Sequence, residues 1–72
     1  MDASLALRVM TFNLRYDNAQ DRQHADRAWS RRLPLVLALI RRTAPDVLCL
    51  QEALWSMLQN IRDAFPEFAW CA

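Results

Sequence analysis

Apolar and polar positions change rhythm five times along this chain, and each change marks an element. Residues 5–14, L-A-L-R-V-M-T-F-N-L, include Val9, Thr11 and Phe12, the β-branched and aromatic residues that suit a strand. Apolar residues fall on both faces of this run, which predicts a strand covered on both sides. Residues 16–28, Y-D-N-A-Q-D-R-Q-H-A-D-R-A, turn polar and read as a long loop, a type of connection that often carries function. From Trp29 the spacing becomes helical, with Leu33, Val36, Leu37 and Ile40 at i, i+3, i+4 and i+7. Ser30 is the expected N-cap. That start places Pro34 within or just after the first turn, where a missing N–H costs least. Arg41 and Arg42 suit the negative end of the helix dipole, and Pro45 stops the helix. A short apolar run, V-L-C-L-Q-E over 47–52, then reads as a buried strand. Leu54, Met57, Leu58, Ile61 and Phe65 form the apolar face of a second helix, which ends at Pro66. F-A-W-C-A at 68–72 is read as the start of a third strand.

The order strand, helix, strand, helix predicts a βαβ unit with parallel strands. Asn13 closes the first strand and Glu52 the second. Neighbouring strands lie about 4.8 Å apart, so both residues are expected side by side at the carboxyl edge of the sheet. Open α/β sheets bind ligands at that edge. A carboxylate and an amide suit a hard cation, since Mg²⁺ takes oxygen ligands and often uses only one or two protein carboxylates. On that reading Glu52 is a metal ligand, and Asn13 bonds a ligand, a water or a second carboxylate. The bland alternatives are a first-turn acid favoured by the following helix dipole for Glu52, and a strand-end residue bonding local backbone for Asn13.

Composition narrows this picture without changing it. The chain has 72 residues, 54% hydrophobic and 24% charged, with three Trp and no Gly. It is one small domain at most. A chain this short buries only about 60% of its unfolded surface, so it either folds with a thin margin or needs a partner. Net charge is +1, which gives no support to non-specific nucleic-acid binding. All nine basic residues are Arg, the better bidentate phosphate ligand, although coding bias is the favoured explanation. Cys49 is expected to be a small buried hydrophobe, and Cys71 a reduced, idle thiol. The N-terminus lacks the charged and apolar regions of a signal peptide. No run approaches the roughly 20 apolar residues of a membrane span. The cytoplasm is the expected location.

M-T-F-N-L-R-Y-D at 10–17, A-W-S-R-R-L-P-L-V at 28–36 and P-D-V-L-C-L-Q-E at 45–52 resemble the start of the endonuclease/exonuclease/phosphatase superfamily. R-Y-D-N followed by A-W and a downstream Arg and Pro looks most like a bacterial hydrolase branch of it. The resemblance runs over nearly all of the chain, and over the first third or so of a typical family domain. It implies an α/β (α+β) fold in which this chain is the β-α-β-α piece of a two-sheet sandwich. It implies Mg²⁺- or Mn²⁺-dependent hydrolysis of a phosphoester, such as nucleic acid, phospholipid or a small phosphate ester. Glu52 matches the family's metal-binding glutamate. Asn13 matches its first active-site asparagine, at the edge of the metal and phosphate site.

The family's later motifs are not found in these residues. No Gly-Asp-x-Asn segment is present, no Ser-Asp-His segment, and His24 does not match the catalytic histidine. The expectation is an N-terminal fragment, inactive alone, whose partner is a C-terminal part or a second copy. The competing class is a non-catalytic α/β interaction module whose sheet edge pairs with another chain. Asp17 is read first as a residue that pins the loop, and second as a contact to metal-bound water. Arg32 is expected in a helix-surface ion pair, with Asp17 or a substrate phosphate as the functional alternative. Asp21, His24 and Asp26 fit no standard metal spacing and are expected in a solvated loop. Trp29, Trp55 and Trp70 are expected in a core or an interface.

Overall fold

A computed structural model describes residues 6–70. Strand β1 runs over Val9–Asn13, helix α1 over Ala19–Arg22, helix α2 over Trp29–Thr43, strand β2 over Val47–Gln51 and helix α3 over Trp55–Ala64. The strands pair in parallel, from Val9 opposite Val47 to Asn13 opposite Gln51. Leu14 N–H extends the ladder one residue further by donating to the Gln51 carbonyl at 3.0 Å.

Side chains alternate across the two strands, as the pleat requires. Met10, Phe12, Leu48 and Leu50 face the helices and pack against the core. Val9, Thr11, Asn13, Val47, Cys49 and Gln51 face outward and are exposed. This corrects the expectation of strands covered on both faces. The described residues hold one two-stranded sheet with helices on one side only. It also corrects Cys49, which has the parity of the outward face and is exposed. The core itself is Leu14, Trp29, Val36, Ile40, Met57, Ile61 and Phe65. It joins the first strand's end to one face each of α2 and α3, as the helical spacing predicts, except that Leu54, expected on that face, is the N-cap of α3 and 42% exposed.

Helix α2 begins without a side-chain cap. Its N-cap is Ala28, and Ser30 lies inside the helix. The start is held by Trp29, which is buried and donates its indole N–H to Asn60 Oδ1 at 2.9 Å. Pro34 is the sixth residue of the helix, two positions deeper than a start at Ser30 would put it. Its missing N–H leaves the Ser30 carbonyl to solvent, and Ser30 is exposed. At the other end Ala44 adopts the left-handed conformation, φ 49°, and its N–H returns to the Ile40 carbonyl at 2.9 Å. A glycine would be usual there, and the sequence contains none. Arg8 ties this end to β1: its Nη1 donates to the Thr43 carbonyl and its backbone N–H to Asp46 Oδ2, both at 2.8 Å.

Residues 16–28 are not simply a loop. Asn18 caps the short helix α1, its Oδ1 accepting the Asp21 N–H at 2.8 Å. Asp21 is 1% exposed, so the expected solvated loop is corrected at this residue, while His24 and Asp26 are exposed. The expected third strand does not form over 68–70. Phe65, Phe68 and Trp70 instead stack edge to face, with centroids 6.0 and 6.2 Å apart; residues 71–72, with Cys71, lie outside the described residues.

Candidate metal and phosphate edge

The carboxyl end of the sheet brings Asn13 and Glu52 together. Asn13 Nδ2 donates to Glu52 Oε2 at 2.7 Å. Asn13 Oδ1 accepts the Arg15 backbone N–H at 2.9 Å, an Asx-turn that fixes the amide's orientation. With its oxygen held by the backbone, the Asn13 amide can turn only its NH₂ toward Glu52. The carboxylate therefore receives one donor and keeps its other oxygen open toward solvent, since Glu52 is exposed.

Both residues that shape this edge carry unusual backbone. Arg15 has φ 56° and Glu52 φ 58°. For a residue with a Cβ the left-handed region costs roughly 1–2 kcal/mol. Such conformations persist where surrounding contacts over-determine them. Arg15 has such contacts. Its Nε and Nη2 donate to Asp21 Oδ2 and Oδ1 at 2.6 and 3.0 Å, a bidentate fork. Asn18 Nδ2 adds a third donor to Asp21 Oδ2 at 3.1 Å. The Arg15 hydrogen bond holds the Asp21 carboxyl below its ordinary value of 3.8, although burial opposes the shift. The guanidinium of Arg15 is raised for the same reason.

Arg32 is not in a surface ion pair. Its guanidinium donates to three main-chain carbonyls, Nε to Arg27 at 2.8 Å, Nη2 to Arg15 at 2.9 Å, and Nη1 to Leu14. It also lies over the Trp29 ring, 5.3 Å from the centroid. Asp17 pairs with Arg22 instead, Oδ1 to Nε at 3.3 Å, and its backbone N–H points at Met57 Sδ. Trp55, at the start of α3, is 64% exposed.

Sequence reasoning missed Arg15 and Asp21. Their signal was present: N-x-x-D at 18–21 is a helix-start pattern of the capping-box type, which argues for order in the loop.

The donor set at this edge is all oxygen, exposed and singly anionic, which fits a hard divalent cation that keeps most of its waters. Glu52 is the group that would hold it. Among the described residues no group of three or more His, Cys, Asp and Glu side chains gathers to hold a metal on its own.

Parallel strands joined by a helix thus carry an Asn–Glu pair at the carboxyl end of an α/β unit. The chain belongs to the Endonuclease/Exonuclease/phosphatase family, whose model matches residues 10–71. That family is generally metal-dependent, and it acts on phosphoesters. No curated protein and no solved structure matches the chain. Among the described residues no helix is long and apolar enough to cross a membrane.

Proposed function

We propose that residues 1–72 form the first segment of a Mg²⁺- or Mn²⁺-dependent phosphoester hydrolase domain, with Glu52 as the metal ligand and Asn13 as the residue that orients it. The observation that carries this reading is the 2.7 Å bond from Asn13 Nδ2 to Glu52 Oε2, made by the two residues that match the family's motif. A bound divalent ion would neutralise and orient a substrate phosphate. This chain's own contribution is positional: Asn13 holds one carboxylate oxygen, and the other stays free to bind. Asp17 serves the loop, through Arg22. Arg32 has its Nε and both Nη atoms on carbonyls, which favours a loop contact over a phosphate contact.

Hydrolysis needs groups that activate water and assist the leaving oxygen. The Gly-Asp-x-Asn and Ser-Asp-His segments that supply them in the family are not in this sequence. The chain alone is therefore proposed to lack turnover. Sequencing the locus past Ala72 tests the enzyme reading: both segments are expected in some reading frame, and the absence of both contradicts it. Phosphodiesterase turnover by the chain alone, persisting through repurification, contradicts the half-site.

A second reading is favoured by the outward sheet face. Val9 and Val47 are 57 and 42% exposed there, on a sheet that has two strands among the described residues. A second sheet, from further family sequence or from another copy, would cover them without any catalytic role for Glu52. Light scattering separates the sources: a concentration-dependent dimer supports a second copy, and a monomer at all concentrations removes it.

A further inference from the structure

The Asn13–Glu52 pair is aimed by a single peptide plane, and Arg32 grips that plane from the far side. The peptide between Leu14 and Arg15 carries two of the contacts described above. Its N–H donates to Asn13 Oδ1 at 2.9 Å. Its carbonyl, on Leu14, accepts from Arg32 Nη1. Because a peptide unit is planar and trans, its N–H and C=O point in opposite directions and turn together. Fixing the Leu14 carbonyl therefore fixes the direction of the Arg15 N–H. Arg32 also donates to the next carbonyl, on Arg15, at 2.9 Å, so it brackets the left-handed residue on both sides. The same guanidinium is held on its remaining edge by the Arg27 carbonyl, through Nε, and on its face by the Trp29 ring.

We propose that Arg32 is a positioning residue for this edge: by clamping the Leu14 and Arg15 carbonyls it sets the Asn13 amide, and through Asn13 the Glu52 carboxylate. Asp21 supports the same turn from the side chain of Arg15. The planar fork is what the role requires. A lysine ammonium at position 32 keeps the charge and an aromatic contact, but it cannot hold two consecutive carbonyls in one plane. The consequence for metal binding rests on the reading of Glu52 as a metal ligand; the consequence for Asn13 does not.

The test is nuclear magnetic resonance on the full chain, without metal, followed by Mn²⁺ titration. Arg32→Lys is compared with Arg31→Lys, its exposed neighbour. In the parent the Asn13 side-chain amide proton facing Glu52 is expected downfield, and the Arg15 N–H slow to exchange. Arg32→Lys is expected to move the Asn13 proton toward its free value, to speed Arg15 exchange, and to leave core shifts at Ile40 and Ile61 in place. Mn²⁺ affinity then falls by roughly tenfold, the scale of losses when the partner of a metal ligand is changed. Arg31→Lys is expected to change none of these. If Arg32→Lys disrupts the core, Asp21→Asn loosens the same turn with Arg32 intact and is read by the same two resonances. An unchanged Asn13 amide and Arg15 exchange rate in a folded variant overturns the proposal. A parent that binds no Mn²⁺ yet shows the Asn13 change overturns the metal reading and leaves the positioning role standing.

Discussion

Asn13 and Glu52 are 39 residues apart in sequence and 2.7 Å apart in space. The parallel register explains the meeting. Asn13 stands opposite Gln51, the last residue of β2, so Glu52, just past the strand and turned by a left-handed backbone, swings its carboxylate back over the strand end. The bond itself lies at the surface. Replacing Asn13 by Ala removes it together with the Asx-turn on Arg15. A net loss of about 1–3 kcal/mol is expected, at roughly 0.5–1.5 for each of the two hydrogen bonds. Urea unfolding of Asn13→Ala against the parent measures it, and no loss at all means the pair is not formed in solution.

Ala44 ends α2 with φ 49° in a sequence without glycine. Ala44→Gly removes the Cβ clash of that conformation, at the cost of a more flexible unfolded chain. The balance is expected to stabilise the fold by roughly 0.5–1 kcal/mol. A rise in melting temperature checks it. A fall would show that the helix does not end in this way.

Met57 and Ile61 are both 0% exposed and sit where α3 meets α2 and Leu14. Truncating either to Ala is expected to cost about 2–5 kcal/mol. In a domain this small that is most of the available stability. Circular dichroism at 25 °C is expected to show Ile61→Ala largely unfolded, whereas Leu35→Ala, at a 72% exposed position of α2, stays folded.

Asp21 makes stability depend on acid in a defined direction. Its carboxyl is held below 3.8 by Arg15, so the unfolded chain takes up the proton more readily than the folded one. The Asp21 contribution is therefore fully present above about pH 3.8 and is lost as pH falls through the lower folded value. Thermal melts below and above that value are expected to show an acid limb in the parent. Asp21→Asn should flatten that limb, and an unaltered limb would place the acid sensitivity elsewhere.

Much of this was readable in the residues. The helical spacing of Val36 and Ile40 and of Met57 and Ile61 led to the core, and the two strand ends to Asn13 and Glu52. The misreadings each have a physical origin. Val9, Val47 and Cys49 look like core residues in isolation, but among the described residues helices cover only the opposite face of the sheet. Asp21 looked solvated because its partner, Arg15, is itself exposed and polar. A buried carboxylate under an exposed arginine leaves no hydrophobic trace in the sequence. The role of Arg32 was hidden for a related reason: it bonds backbone carbonyls, which every sequence has.

As a metal ligand, Glu52 should hold a divalent cation at this edge. Mn²⁺ titration followed by electron paramagnetic resonance, on the parent and on Glu52→Gln, tests it most directly. Gln keeps the acceptor for Asn13 and removes only the charge, so the edge should stay folded. Binding of about millimolar affinity or weaker is expected in the parent, as for a site with one carboxylate, and none at the same concentrations in Glu52→Gln. Equal Mn²⁺ affinity in the two chains would contradict the account.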